Sequence, residues 1–526
     1  MFQSDRRVSL TRGERLTHAI LTAVVVVAIV WLGWRWIDMG GWRTDAVAWW
    51  GLTLFGGLWL ASQVARWLVI PGMCEPDDAT EPVDGRIAVV TGFVPGAEPL
   101  AVLEQALEAL CALDVPHDTW VLDEGDDPEA RALCATYGAY HFSRHRAPAL
   151  QNADGRFAAS SKYGNYNAWL AIEGLDRYDF VANFDVDHVP APGYLRATLG
   201  YFRDPGVGYV QLPQAYYNQQ ESVIACGAAQ ESAEFYSIVQ RLNHRTGHPT
   251  VIGCHTLHRM SALEHAGGFA MHDADDLMLT LAYRKLGIRG VYLPRIMARG
   301  LAPADWSAYL NQQRRWARSV LDLKLRRQWA YLTNDSPLAR LFATLHGILF
   351  LQPMMMALLG IGLLCWCLLV PAARSAIRVP WTPVFVLMTT FAVAHAFRQR
   401  FMLQDAAVIP WRAWLLRFAK WPVLLQATID VLTNRRFRYA LTPKQRVAAS
   451  ANPLLTAHLP GMLLVLAAWL LAIVTRGALV TPVTLLAALF LVVTALVIRS
   501  GNPAHEYEVR ESVATADLVP HVGRLP

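Results

Sequence analysis

The stretch Tyr178-Asp179-Phe180-Val181-Ala182-Asn183-Phe184-Asp185-Val186-Asp187-His188-Val189-Pro190 joins an apolar run to two carboxylates spaced two residues apart. Tyr178 to Phe184 reads as a buried strand, and Pro190, Pro192 and Gly193 stop it. At the end of a strand, Asp185 and Asp187 can share one hard divalent cation and leave coordination positions for phosphate oxygens. A nucleoside-diphosphate donor requires that chemistry. An isolated Asp-x-Asp fits a solvated turn at least as well, so the surrounding sequence has to decide.

From about Asp84 to Arg327 the composition is that of a soluble α/β domain. Strands are expected at Ile87–Phe93 and Thr119–Leu122, and helices at Pro99–Leu113, Pro128–Tyr137 and Lys162–Gly174. This alternation predicts a mainly parallel sheet with helices on both faces, its ligand at the carboxyl ends of the strands. Asp123 and Asp185 both fall at such ends.

Outside that stretch the chain is too apolar for a soluble enzyme. The 526 residues are 54% hydrophobic and 17% charged, with a mean hydropathy of +0.25, which points to an integral membrane protein. Arg6, Arg7, Arg12 and Arg15 precede an apolar segment from about Leu16 to Trp36, and a second follows from about Val47 to Ile70. Each is long enough to cross about 30 Å of hydrocarbon. A signal peptide would fit the first segment, but the run lacks a small-residue cleavage site and a second span follows at once. The arginines put the amino terminus and the α/β domain in the cytosol.

After the domain, Leu338–Val370 reads as an interfacial lead-in with a span from about Pro353, and Trp381–Phe397 as a fourth span. Trp411–Asp430 reads as a helix in the interface, with a spanning helix as the alternative. Leu454–Val474 and Leu479–Ile498 complete a set of about six. Arg398, Arg400, Arg435, Arg436, Arg438, Lys444 and Arg446 then lie on the cytosolic side, while Arg43, Arg374, Arg378 and Arg476 are exceptions. The net charge of +5 fits membrane orientation better than nucleic-acid binding, and no nucleic-acid partner is expected. The seven Cys contain no Cys-x-x-Cys pair and suggest neither a zinc site nor a disulfide framework.

Five signatures in order resemble those of processive, inverting family-2 glycosyltransferases of the cellulose synthase type, over roughly residues 85 to 500. They are the turn Leu122-Asp123-Glu124-Gly125, the Asp185/Asp187 pair with its His-Val-Pro tail, Asp275-Asp276 before a helix, Gln312-x-x-Arg315-Trp316, and Tyr439-Ala440-Leu441-Thr442-Pro443-Lys444. The last is similar to the gating loop of cellulose synthases. The resemblance implies a cytosolic GT-A (Rossmann-like) domain at 85–330 inserted between membrane helices. Residues 1–84 carry the amino terminus and two spans, residues 331–500 interfacial helices, the gating-like loop and about four spans, and residues 501–526 a short cytosolic tail.

The resemblance also implies roles. Asp185 and Asp187 would bind Mg²⁺ or Mn²⁺ and stabilise the leaving diphosphate. Asp123, Lys162, Asn165 and Asn167 would hold the donor, although the last three also read as an ordinary helix start. Asp276, at the positive end of a helix, would be the general base, while helix capping explains Asp275 and Asp276 too. Gln312, Arg315 and Trp316 fall at i, i+3 and i+4, so one helical face can present all three. Arg315 would take phosphate and Trp316 the acceptor sugar, with an amphipathic interfacial helix as the alternative. Thr442 and Lys444 would close over the nucleotide. His346, Gln352, His395 and His458 would line a polymer path or make ordinary helix contacts.

Taken together, the expectation is a multi-pass enzyme of the bacterial inner membrane that polymerises a β-glucan from UDP-glucose and passes it through its own helices. An export or periplasmic partner is compatible with that reading. A non-processive enzyme acting on a lipid or polyprenyl phosphate is the alternative, and a catalytically degenerate scaffold the remote one. Departures from the pattern are Asp-Glu-Gly for Asp-Asp-Gly, His272-Asp273-Ala274 before the acidic pair, and Val251-Ile252-Gly253-Cys254 near the acceptor site. Only about 27 residues follow the last span, so no cyclic di-GMP-binding domain is expected.

Overall fold

A computed structural model describes residues 6–78, 81–331, 350–403, 410–435, 452–477 and 481–500. The gating-like loop with Thr442 and Lys444, the lead-in with His346, and the tail 501–526 lie outside the described residues.

The α/β unit is built on one seven-stranded sheet. Its strands are β1 (Ile87–Phe93), β2 (Asp118–Asp123), β3 (Tyr140–Phe142), β4 (Phe180–Asp185), β5 (Val207–Gln211), β6 (Thr256–Arg259) and β7 (Arg289–Tyr292). The order across the sheet is β7-β5-β6-β4-β1-β2-β3. β1 pairs in parallel with both β2 and β4, β2 with β3, and β5 with β7. β6 alone runs antiparallel, wedged between β4 and β5. The sheet is therefore mixed, and the departure from a parallel sheet has a local cause. The loop into β6 turns through Gly253 (φ 75) and His255 (φ 53), reversing the chain so that Thr256 pairs with Asn183 of β4. That reversal sets Gly253, Cys254 and His255 beside the end of β4, where Asp185 begins.

β1 and β4 are buried nearly throughout, as their continuous apolar runs require for strands covered on both faces. One face packs Leu103, Leu107 and Leu110 of Leu100–Cys111 onto Val89, Phe184 and Val210. The other packs Tyr166, Trp169 and Tyr283 onto Val90, Val181 and Tyr209. A second, three-stranded sheet joins Val189–Pro190, Ala298–Gly300 and Ala215–Tyr216 just beyond β4.

Among the described residues, five helices are long and apolar enough to cross a membrane. They include Arg12–Asp38, Ala46–Leu68, Gln352–Leu369, Pro453–Arg476 and Pro482–Ser500. The expected span at Trp381–Phe397 is a 19-residue helix, Trp381–Gln399, that falls short of the other five in apolarity. Its last turns carry His395 and Arg398, and the Arg398 guanidinium reaches Glu234 of the α/β unit at 3.2 Å. Trp411–Asp430 forms two short helices, Trp411–Ala419 and Trp421–Leu432, each too short to span.

Candidate active site

The ends of β4 and β6 assemble the site. Asp185 Oδ1 accepts from the Lys162 ammonium at 2.5 Å, and Lys162 also donates to the Gly253 carbonyl at 2.8 Å. The Asn183 amide donates to that same carbonyl at 2.8 Å, locking the reversed loop onto β4. Burial is the largest influence on Lys162 and opposes its charge, but Asp185, through charge and hydrogen bond, together with Tyr166 and Asp275 overcomes it and holds the ammonium well above its usual range. Asp187 is 3% exposed, and its Oδ2 accepts from the Leu301 N–H at 3.3 Å.

One atom each from Asp185, Asp187 and His188 lies within 4.8 Å of the others, a donor set that fits a single divalent cation. The His188 ring leans against Gly300, where an added Cβ would stand 1.8 Å from its Cδ2. Only glycine leaves room for the imidazole there. His188 follows Asp187 directly, yet the sequence reading treats it as tail rather than ligand.

Asp275 and Asp276 open the helix Asp275–Lys285. Ala274, not either aspartate, occupies the N-cap position, so the acidic pair forms the first turn of the helix. Asp276 Oδ1 accepts from the Leu277 N–H at 2.7 Å, and the Asp276 side chain faces Gly253 across the loop. Burial, then the neighbouring Asp275 charge, pushes the Asp276 carboxyl up to about 7. Burial also raises Asp275, with Lys162 pulling it back. Lys162 thus lies between the two acidic pairs, and Gly253 meets Lys162 through its carbonyl and Asp276 across the loop.

The Gln312, Arg315 and Trp316 triplet sits on Trp306–Asp322, capped by Asp305 through the Ala308 N–H at 2.8 Å. All three are on the open side of that helix, with Trp316 38% exposed, while Tyr309, Gln313 and Ala317 face inward. Two bridges tie this helix to the segment before Asp276: His272 Nε2 to Asp322 Oδ2 at 3.0 Å, and Arg318 to Asp273 at 3.7 Å. The unfamiliar His272-Asp273-Ala274 is therefore the strap between the two motifs. His272 Nδ1 also accepts from the Ala274 N–H at 3.0 Å.

Three of the residues expected at the donor are buried side chains. Asn167, expected at the donor, is fully buried with its amide spent on main chain: it donates to Phe269 O and Arg156 O and accepts from the Phe269 N–H. The reason is angular, because a residue five positions on lies about 140° around a helix from Lys162. Asn165, about 60° from Lys162 on that count, donates to Leu122 O at the end of β2. Asp123 is also fully buried. Its carboxylate accepts from the Gly125 N–H at 2.8 Å, the Asp127 N–H at 2.5 Å and His141 Nε2 at 2.9 Å, so it fixes the turn after β2. Glu124 of that turn pairs with the buried Arg144.

Below the site, charged groups join the α/β unit to the apolar helices. Glu231, on the helix Val223–Glu234, accepts from Lys420 at 2.5 Å and the Tyr309 hydroxyl at 2.7 Å, with Arg417 at 3.6 Å. Lys420 also donates to Gln313 at 2.9 Å. Glu234 is flanked by Arg398 and, at 3.5 Å, by Arg66. Of the polar residues expected on a path, Gln352 donates to Ser62 at 2.9 Å, His458 Nε2 lies 2.8 Å from Ala419 O, and His395 contacts Arg398 and Gln399. These are helix contacts.

Residues 180–395 match the family model described as Glycosyl transferase family group 2. The cellulose synthase catalytic subunit (UDP-forming) of Xanthomonas axonopodis pv. citri (strain 306) is 30% identical over 254 residues, covering 46% of this chain and 33% of that protein. The probable glucomannan 4-beta-mannosyltransferase 3 of Oryza sativa subsp. japonica is 25% identical over 337 residues, 60% of this chain and 58% of its own. Among solved structures, the mannosyltransferase PcManGT from Pyrobaculum calidifontis, in complex with GDP-Man and Mn²⁺, matches at 16% identity and a TM-score of 0.45, over 75% of this chain and all of that one. The chain spans about a third of the length of the bacterial relative.

Proposed function

From a cellulose synthase-like glycosyltransferase domain of family group 2, we propose that this chain is a processive membrane glycosyltransferase that builds a β-linked polysaccharide from a nucleotide sugar, with UDP-glucose as the first donor to test. The observation that carries this reading is the junction at Gly253, where Lys162 bridges Asp185 and the Gly253 carbonyl while Asp276 faces the same residue.

Asp185, Asp187 and His188 are the residues that would hold Mg²⁺ or Mn²⁺. Bound there, the cation supplies charge neutralisation to the leaving diphosphate. Lys162 adds a positive charge on the same side, and Asn165 fixes the helix that carries it to the end of β2. Asp276, with its carboxyl near 7, takes the proton from the acceptor hydroxyl as that oxygen attacks the anomeric carbon opposite the leaving group. One displacement inverts configuration, so an α-linked donor yields a β-linkage. Arg315 and Trp316 offer phosphate and sugar-ring contacts on one helical face, and the strap through His272 and Asp322 keeps that face in register with Asp276.

The apolar helices, the amino-terminal arginines and the buried charges joining helices to catalytic unit support a multi-pass protein of the bacterial inner membrane, its α/β unit cytosolic and the polymer leaving between its helices. The test is product formation by full-length protein in lipid nanodiscs, with labelled UDP- and GDP-sugars, Mg²⁺ or Mn²⁺, and Asp276→Asn as control. High-molecular-weight product from one donor, absent in the variant and cut by a linkage-specific hydrolase, supports the proposal and names the polymer. Label found only in an organic-extractable lipid refutes processivity in favour of a lipid acceptor.

A further inference from the structure

Directly behind the Asp185/Asp187 pair lies a second group of ligating side chains. One atom each from His188, Cys254 and His255 lies within 4.8 Å of the others. All three residues are buried, at 1%, 1% and 0% exposure. The His188 and His255 rings stand nearly perpendicular, with centroids 4.6 Å apart.

Three features mark this as more than packing. His255 Nδ1 lies 3.1 Å from the Pro213 carbonyl, so that nitrogen carries the proton and the Nε2 lone pair is presented on the other side of the ring. Nε2 is fully buried and has no hydrogen-bond partner among the described residues, a state that costs free energy unless something else occupies the lone pair. A carbonyl behind one imidazole nitrogen is also the arrangement that fixes a ligating histidine. The His255 backbone sits at φ 53, a strained conformation for a residue that is not glycine. The buried Gln211 amide holds the loop in that shape, accepting from the Ile252 N–H and the Thr256 hydroxyl and donating to the Cys254 carbonyl.

We propose that His188, Cys254 and His255 form a cation site of their own, contiguous with the Asp185/Asp187 position, that takes a borderline-soft divalent ion of the zinc class. Two imidazoles and a thiolate suit such an ion and suit Mg²⁺ poorly. In a tetrahedral site two metal–ligand bonds of about 2.0–2.3 Å hold their ligand atoms about 3.3–3.8 Å apart, so side-chain shifts of about 1 Å bring all three atoms onto one ion. Three protein ligands leave a fourth position open. Binding displaces the Cys254 thiol proton to solvent, and the ion takes one thiolate as its charged ligand. His188 is the hinge, since it also belongs to the Asp185/Asp187 set.

The probe is Co²⁺, which reports sulfur ligation by a thiolate-to-cobalt charge-transfer absorption in the near ultraviolet. Full-length protein in nanodiscs is stripped with a chelator and titrated with Co²⁺ alone, without any sugar donor, so the readout does not depend on the proposed reaction. The expected result is a charge-transfer band saturating at one ion per chain, competed away by Zn²⁺ and not by Mg²⁺. Cys254→Ser, a one-atom change, loses the band. His255→Asn, which tolerates the same backbone conformation, weakens binding, and Asp187→Asn keeps the band. Absence of the band in the native protein, its survival in Cys254→Ser, or its loss in Asp187→Asn would each overturn the proposal.

Discussion

Replacing Asp276 by Asn separates chemistry from folding. The carboxyl rises from 3.8 to about 7 because burial, and then the Asp275 charge, penalise its ionised form. The folded state therefore binds this proton more tightly than the unfolded chain, and ionising the group opposes folding. That cost is absent below about pH 3.8, grows as pH rises towards 7, and stays constant above. At 1.36 kcal/mol per unit it is at most about 4 kcal/mol, and solvent on the open side of the cleft screens part of it. For a domain of this size, about 2–4 °C of unfolding temperature accompanies each kcal/mol. Asp276→Asn thus unfolds several degrees higher than the native chain at pH 8, and the gap closes towards pH 4. The same change lowers transfer by about 10²–10⁴-fold. In the native enzyme the rate climbs about tenfold per pH unit below 7 and levels off above it. Tryptophan-fluorescence melts in nanodiscs at pH 4, 6 and 8, paired with initial rates, read both effects. A midpoint at pH 8 that is unchanged or lower in the variant, or a gap independent of pH, would refute the reasoning.

Three further substitutions test other parts of the site. Asn167→Ala removes three hydrogen bonds to main chain and is expected to cost about 1–3 kcal/mol of stability while leaving the KM for the donor unchanged; a raised KM with native stability would return Asn167 to the donor site. Gly300→Ala drives a methyl group into His188, so Mn²⁺ binding measured by calorimetry without donor should be lost, and native affinity would remove His188 from the cation site. Lys420→Met strips Glu231 of its shortest ion pair and should cost about 3–5 kcal/mol. Adding Glu231→Gln should restore most of that loss in melts, whereas simple addition of the two effects would mean that the pair is not coupled.

The strand-to-Asp185 stretch was legible because a run buried on both faces must be apolar, and its end must carry whatever meets the ligand. The helix starting at Pro128 was equally plain from its proline at the first position. Asn167 was placed at the donor by the resemblance of the run from Lys162, whereas its helical angle from Lys162 is consistent with the main-chain bonds its amide makes on the far side. β6 was harder. Its antiparallel insertion depends on a reversal through His255, and nothing in the local residue types announces a histidine with positive φ. The pairing of His272 with Asp322 spans 50 positions, and no short motif encodes it. Trp381–Gln399 adds what hydropathy alone leaves out: one residue past the end of the apolar run read as a span stands an arginine committed to Glu234.

That commitment bears on how this protein can be taken apart. Glu231 and Glu234 belong to the α/β unit, but all four cations around them, Arg66, Arg398, Arg417 and Lys420, come from segments before and after it. A truncation to the catalytic unit would strand two carboxylates on a surface shaped for arginine and lysine. A chimera that grafts this unit onto foreign helices has to import the matching cations with it. The ion network acts as a keyed joint, and exchange between related enzymes should succeed only when both halves of the key travel together.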